Sequence, residues 1–463
     1  MRPRRLELEG LRQAIRRQPG ITAGELRLRL EVSQPTISRG LALLGEELIR
    51  FGDTRKAARL ALPRRVGRWG SEWPLHRIDG NGQATQVGSL QAVANEGWFY
   101  RPEHPQPAWL HGEFSAGLFP DLPWFLEDMR PQGFLGRNFV HAHARELEAP
   151  DQLNLWRSDH VLAALLSHGD NLPGDLVLGE TALEQAMREM LDPPDAVEPD
   201  QRTSVFPQRA QAASQGRPSG SSAGGEQPKF TAVLHDGPER HRAVIVKFSE
   251  PLADSASARR WADLLLCEHL AGQALQEIGI AAAPTEVLDA SGRRFLQSQR
   301  FDRTPVLGRR GYTSLRSLDA AWFGAARKPW SEMADPLLRA GWITEGDAEA
   351  MRVIYLFGAL IGNTDMHFGN VAFELRDGMP FGLVPVFDML PMLYAPSSTG
   401  AIVARDFEPP LPLPRQKSAW QRAAPAALRF WQSVAGSPLI SADFQGIAGD
   451  NAQRVERLLG KFG

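Results

Sequence analysis

Leu360-Ile-Gly-Asn-Thr-Asp365-Met-His-Phe-Gly-Asn370, followed 18 residues later by Asp388 in Val384-Pro-Val-Phe-Asp388, decides how this 463-residue chain is read. The apolar run Val353–Leu360 before it has the look of a helix, so Asp365 and Asn370 fall five apart in a polar loop. That spacing suits phosphoryl transfer: a carboxylate to align and deprotonate an acceptor hydroxyl, and an amide oxygen to hold a magnesium ion. Asp388, closing an apolar strand, is expected to be the main magnesium ligand bridging nucleotide phosphates.

Upstream, Ala243-Val-Ile-Val-Lys247 ends a β-branched strand on a lysine. An ammonium in a buried strand needs an anion, and a nucleotide phosphate is one. The chain has only six lysines among 52 basic residues, so each one invites explanation. Glu268, 21 residues later in a helical run, is a second anion able to orient Lys247. Before the strand stands Ser221-Ser-Ala-Gly-Gly-Glu-Gln-Pro-Lys229, where adjacent glycines let backbone amides approach phosphate oxygens. Each piece alone has an ordinary explanation as a turn, linker or strand end. Their order, Gly-rich loop, strand Lys, helix Glu, Asp-x4-Asn loop, strand Asp, is that of the protein-kinase fold.

The rest of the chain fits around that body. A small lobe occupies 221–303 and a helical large lobe 304–463. Residues 192–220, rich in Pro, Gln, Ser and charge without periodicity, read as a flexible linker. Residues 69–191 form a mixed subdomain with strands near 84–93 and 97–100 and helices near 153–167 and 181–191. Its His141-Ala-His143 is a ligand pair only on a strand, and otherwise two surface histidines.

Residues 1–68 carry 16 Arg/Lys against 7 Asp/Glu, so the overall charge of −2 conceals a basic head on an acidic body. Thr22-Ala-Gly-Glu25 is a capping-box start, Ser33 caps a further helix with Pro35 in its first turn, and 48–62 read as two short strands. Three helices and a hairpin make a winged helix-turn-helix, whose third helix presents Gln34, Thr36, Ser38 and Arg39 to double-stranded DNA. The fold class is therefore α+β: a bilobal protein-kinase-like fold with an N-terminal winged helix-turn-helix domain. The lone Cys267 makes no intrachain disulfide, and no window reaches the ~18 apolar residues of a membrane span, so a cytoplasmic protein without membrane contact is expected.

The same residues resemble the HipA-type serine/threonine kinases of bacterial toxin–antitoxin systems, in a helix-turn-helix-fused branch. The resemblance covers about 85–460. It rests on Ser222-Ala-Gly-Gly-Glu-Gln-Pro-Lys229, Lys247, Glu268 leading to Ile278-Gly-Ile280, Gln299-Arg-Phe-Asp-Arg303, Thr364-Asp-Met-His-Phe-Gly-Asn370 and Val386-Phe-Asp388. Phe125–Asn138 and His168-Gly-Asp-Asn-Leu-Pro-Gly174 also look like this family's N-terminal subdomain.

By that resemblance Asp365 is the catalytic base, and Asn370 and Asp388 hold Mg2+. ATP meets Ser222, Ala223, Gly224, Gly225, Lys229, Lys247, Glu268, Gln299, Phe301 and His367, with adenine at the Gln299–Phe301 backbone. Ser222 is the autophosphorylation site that silences the kinase. The family also implies an antitoxin partner and a protein substrate from translation, such as an aminoacyl-tRNA synthetase. Gln299 and Glu226 depart from its usual pattern of Glu and a small residue. The competing readings are a transcriptional regulator with a nucleotide-sensing kinase-like body and a small-molecule phosphotransferase.

Overall fold

The chain is described here by a computed structural model at residues 7–52, 58–103, 107–193, 195–216, 227–237, 240–325 and 328–462. At its N-terminus helices Leu8–Arg17, Ala23–Leu30 and Gln34–Leu44 pack on a three-stranded antiparallel sheet in which Arg59–Ala61 lies between Ile21–Thr22 and Ile49–Phe51. The caps are where the sequence puts them. Thr22 and Glu25 exchange bonds, the Glu25 amide donating to Thr22 Oγ1 at 3.2 Å and the Thr22 amide to Glu25 Oε2 at 2.7 Å. Ser33 accepts from the Thr36 amide, with Pro35 in the first turn. Leu11, Ile15, Leu26, Ile37, Leu41, Leu44 and Leu60 close this unit's own core.

That core ends at Leu62, because Val66 joins the main core, Pro63 bridges Val93, and Arg64 grips Asp159 at 2.7 and 2.8 Å. Residues 63–68 thus pack with the middle unit rather than with the head. The middle unit is a five-stranded antiparallel sheet in the order Leu118–Phe119, Trp98–Pro102, Ala84–Ala92, Glu72–Ile78, Leu176–Leu178. Helices Ser158–His168 and Glu180–Leu191 pack on its Leu176–Leu178 strand, and helix Gly133–His143 packs on Ser158–His168 through Phe139. His141 and His143 therefore lie on a helix, where residues two apart do not share a face, so they form no ligand pair with each other.

The small lobe is a four-stranded antiparallel sheet in the order Thr285–Ala290, Arg293–Gln299, His241–Phe248, Lys229–His235. Strand alternation divides His241–Phe248 between two environments. Val244, Val246 and Phe248 turn into a core with Phe206, Phe230 and Phe295, while Ile245 and Lys247 turn to the opposite face and line a cavity. The first face is covered by a helix, Arg202–Ser214, within the stretch expected to be a flexible linker. That expectation is corrected: Phe206, Ala210 and Ala213, spaced i, i+4, i+7, are all buried. One aromatic and two alanines make a faint periodic signal, and Pro207 inside the helix weakens it further.

Helix Ala256–Glu277, buried Cys267 included, joins the sheet to the large lobe. There Leu315–Trp322, Trp330–Arg339, Glu345–Leu360, Lys417–Gly436 and Ala442–Phe462 surround a core rich in tryptophan and phenylalanine. The expected strand over 384–388 is also corrected. It is extended backbone with a single bridge, Val386 to Ala282, beside a bond from the Val384 amide to the Ala372 carbonyl, and Pro385 between them has no amide to donate to a ladder. Among the described residues no helix is long and apolar enough to cross a membrane.

Candidate active site

A cavity of about 700 Å³ lies between the small-lobe sheet and the large lobe. Lys229, Lys247, Glu268, Gln299, Phe301, Asp365, His367, Asn370 and Asp388 all line it, so residues spread over 160 positions of sequence meet in one place. Ser222, Ala223, Gly224 and Gly225 lie outside the described residues. Gln227 and Pro228, which follow them, line the cavity.

Lys229 and Lys247 are register partners across neighbouring antiparallel strands, so their side chains share the cavity face. Lys247 Nζ donates to both oxygens of Glu268, at 2.6 and 2.7 Å, and also to Asp388 Oδ1. The Lys247 and Glu268 side chains are each only 6% exposed. Burial alone would lower the lysine's pKa, but Asp388 and Glu268 outweigh it and hold the ammonium above its usual value. Burial likewise opposes ionisation of Asp388, yet Lys247, Lys229 and His367 keep its carboxyl below the usual range. Asp388 is thus an anion at neutral pH. Its backbone sits at φ +54°, in the left-handed region that aspartate tolerates better than most residues.

The loop after Leu360 is held by its own polar groups. Asn363, buried, accepts from the Asp365 amide at 3.0 Å, and Asn370 Nδ2 donates to the Asp365 carbonyl at 3.0 Å. The Asn370 amide nitrogen is therefore engaged with backbone, which leaves its oxygen as the group for a cation. His367 accepts from the Gly369 amide at 3.0 Å, and Trp330 Nε1 binds the His367 carbonyl at 3.1 Å. Asp365 remains 55% exposed, with His367 Nε2 4.0 Å away. Partial burial and Asp388 raise the Asp365 pKa, with His367 pulling it down. An accessible carboxylate of raised basicity is what a proton acceptor requires.

The residues present fit a magnesium nucleotide. Asn370 and Asp388 offer the hard oxygen donors magnesium prefers, the two strand lysines offer charge to phosphate, and the volume falls within the usual range for small-molecule sites.

Several cavity residues were given no role by the sequence reading. Tyr312 and Phe387 flank Phe301, with ring centroids 6.0 and 5.6 Å away, making an aromatic wall beside Gln299. Asp128 of the middle unit accepts from Ser314 N, Ser314 Oγ and Ser317 Oγ at 2.6–2.9 Å. Gln132 and Arg316 meet at 2.6 Å at the cavity edge. No spacing rule relates residues 128 and 132 to residue 316, so only the fold could find them.

The run Arg300-Phe-Asp-Arg303 has an architectural part. Asp302 accepts from Arg300 at 2.8 and 2.9 Å, from Arg303 at 2.9 Å and from the Gly174 amide at 2.9 Å. Both arginines also donate to the Leu172 carbonyl, at 3.2 and 2.8 Å. Burial works against the Asp302 charge, but Arg300 and Arg303 hold its carboxyl far below the carboxylate range. The segment after Gln299 is thereby fastened to the 171–174 turn of the middle unit.

A strand lysine tied to a helix glutamate, a loop Asp–Asn pair and a facing aspartate, gathered in the cleft between a sheet lobe and a helical lobe, define a protein-kinase-like fold and site. Comparison with known proteins narrows this class. Residues 69–187 match the middle domain of YjjJ-like toxins, and residues 221–452 match the HipA-like C-terminal domain. The curated protein Toxin YjjJ of Escherichia coli K12 is 37% identical over 440 residues, covering 94% of this chain and 95% of its own. The chain belongs to the YjjJ-like, HipA-type toxin family. Among solved structures, Shewanella oneidensis HipA, determined with HipB and its operator DNA, is similar at a TM-score of 0.50 and 16% identity. The match covers 84% of this chain and 97% of that one, and bears on the fold.

Proposed function

We propose that this toxin is an ATP- and Mg2+-dependent serine/threonine protein kinase that transfers the γ-phosphate to a protein hydroxyl and silences itself by phosphorylating Ser222. The observation that carries the reading is the convergence of Lys247, Glu268, Asp365, Asn370 and Asp388 on one cavity. Asp365 aligns the acceptor hydroxyl and takes its proton, its raised pKa suiting that exchange. Lys247, oriented by Glu268, presents fixed positive charge to nucleotide phosphate, and Lys229 adds to it across the sheet. Asn370 and Asp388 hold the magnesium ion, which when bound neutralises phosphate charge. The Gln299–Phe301 backbone receives the adenine, and His367 stands beside Asp365.

The head is proposed to be a winged helix-turn-helix that binds duplex DNA. In support, Gln34, Ser38 and Arg39 are exposed on helix Gln34–Leu44, while Thr36 turns back to Ser33 at 2.7 Å. An antitoxin partner and a substrate in translation are carried over from the family.

Purified protein incubated with labelled ATP tests the central reading. Label should reach Ser222 and a host protein in the parent, and fall by about 10²–10⁴-fold in Asp365→Asn. Asp388→Asn should be inactive as well, with folding retained in both. Parent-like labelling by Asp365→Asn would remove it as the base.

A further inference from the structure

Outside the kinase cleft, one cluster has the composition and spacing of a metal site. His143 is the last residue of helix Gly133–His143, Glu146 lies three residues beyond it, and His168 is the last residue of helix Ser158–His168. A ligand atom from each lies within 4.8 Å of the other two.

The distances are long for hydrogen bonds and right for coordination. His143 Nδ1 stands 3.4 Å and His168 Nε2 3.6 Å from the same oxygen, Glu146 Oε2. Charge-assisted N–H···O bonds usually close to about 2.7–2.9 Å. Two ligands each about 2.0–2.2 Å from a tetrahedral ion stand roughly 3.3–3.6 Å apart.

The surroundings add an independent sign. His168 Nε2 is buried and has no hydrogen-bond partner, an orphan that a metal bond would satisfy. The two imidazole rings lie 4.1 Å apart, backed by Phe139 at 4.8 and 5.5 Å, so one side of the cluster is apolar. Arg68 donates to the Glu146 carbonyl at 2.6 Å and steadies the turn that carries the carboxylate. His141, two residues before His143, lies instead beside Gly216 and takes no part.

We propose that His143, Glu146 and His168 bind one zinc-class transition-metal ion, with a fourth position open to solvent on the Glu146 side. Two imidazoles and one carboxylate favour zinc over magnesium or calcium, which prefer all-oxygen shells. The ion acts as a positioning staple. It joins the ends of two helices immediately before the 171–174 turn into which Arg300 and Arg303 insert. The three ligands lie outside the nucleotide cleft, and metal binding by them requires no activity assigned to that cleft.

The test uses the full-length protein, stripped with a chelator and titrated with zinc sulfate by calorimetry without nucleotide or magnesium. One equivalent should bind and raise the thermal midpoint. His143→Gln and Glu146→Gln, at a helix end and in the turn after it, should each weaken binding by about 100-fold or more and abolish the thermal shift. His168→Gln should do the same, and His141→Gln should leave both readouts unchanged. Absence of stoichiometric binding, or binding that persists in His143→Gln and Glu146→Gln, overturns the proposal.

Discussion

Replacing Asp302 by Asn keeps the shape of the side chain and removes its charge from between Arg300 and Arg303. Asp302 is 5% exposed and accepts from both guanidinium groups and from the Gly174 amide. Arg309, also buried, stands nearby and adds a third positive charge. Breaking a buried ion pair from one side costs about 3–5 kcal/mol, because the partners stay buried and uncompensated. A chain of several units need not unfold in one step, so a global stability would blur the effect. Local opening isolates it. The Gly174 amide can exchange only when its bond to Asp302 breaks, so hydrogen exchange at 171–174 and 300–303 reports this node directly. The expected loss of protection is roughly 150- to 4,000-fold, following from about 1.4 kcal/mol per decade. Amides of helix Glu345–Leu360 should be unaffected. Nucleotide affinity should fall too, since Gln299 adjoins the node and Phe301 lies within it. If Asp302→Asn changes exchange at Gly174 less than about fivefold, Asp302 does not fasten the segment after Gln299 to the 171–174 turn.

Other substitutions probe separate links. With Asp365 as the proposed base, its raised pKa means that the active carboxylate form is lost on acidification at a pH above the usual carboxylate value of about 4, and this should set the acid limb of the rate profile. His367 pulls that pKa down, so His367→Gln should move the limb to higher pH, and a shift toward lower pH would contradict the assignment. Phe206→Ala should cost the small lobe about 3–5 kcal/mol, seen as earlier thermal unfolding or faster proteolysis near 202–214. A flexible linker would lose under about 0.5 kcal/mol. Arg39→Ala should reduce the slope of log affinity against log salt for duplex DNA by about 1, and an unchanged slope would remove Arg39 from the interface.

The catalytic pieces could be read from the sequence because each is local: a lysine at the end of a β-branched run, an aspartate and an asparagine in one short loop, an aspartate after an apolar stretch. Chain order alone then linked them, and the cavity lining agrees with that order. The helix Arg202–Ser214 was hidden because its buried face is made of one phenylalanine and two alanines, side chains too small to register as a stripe. A strand over 384–388 misleads for the opposite reason: its apolar residues signal burial, while Pro385 lacks the amide that a sheet ladder would need.

The Arg-Phe-Asp-Arg run and His-Ala-His mark a different boundary of legibility. Both were conspicuous in the sequence, and neither showed what it does, because the partners lie far away in sequence. Asp302 finds Gly174 across 128 positions, and His143 finds His168 through the meeting of two helix ends. The pairs share one stretch, since His168 opens the turn whose Leu172 and Gly174 take the arginines and the aspartate. Fixing that turn fixes where Gln299 and Phe301 stand relative to Lys247. Under the proposed function, the middle unit, which carries none of the proposed catalytic residues, therefore bears on nucleotide binding through the placement of Gln299 and Phe301, and damage at residues 168–174 should weaken nucleotide affinity without touching a residue of the loop 363–370.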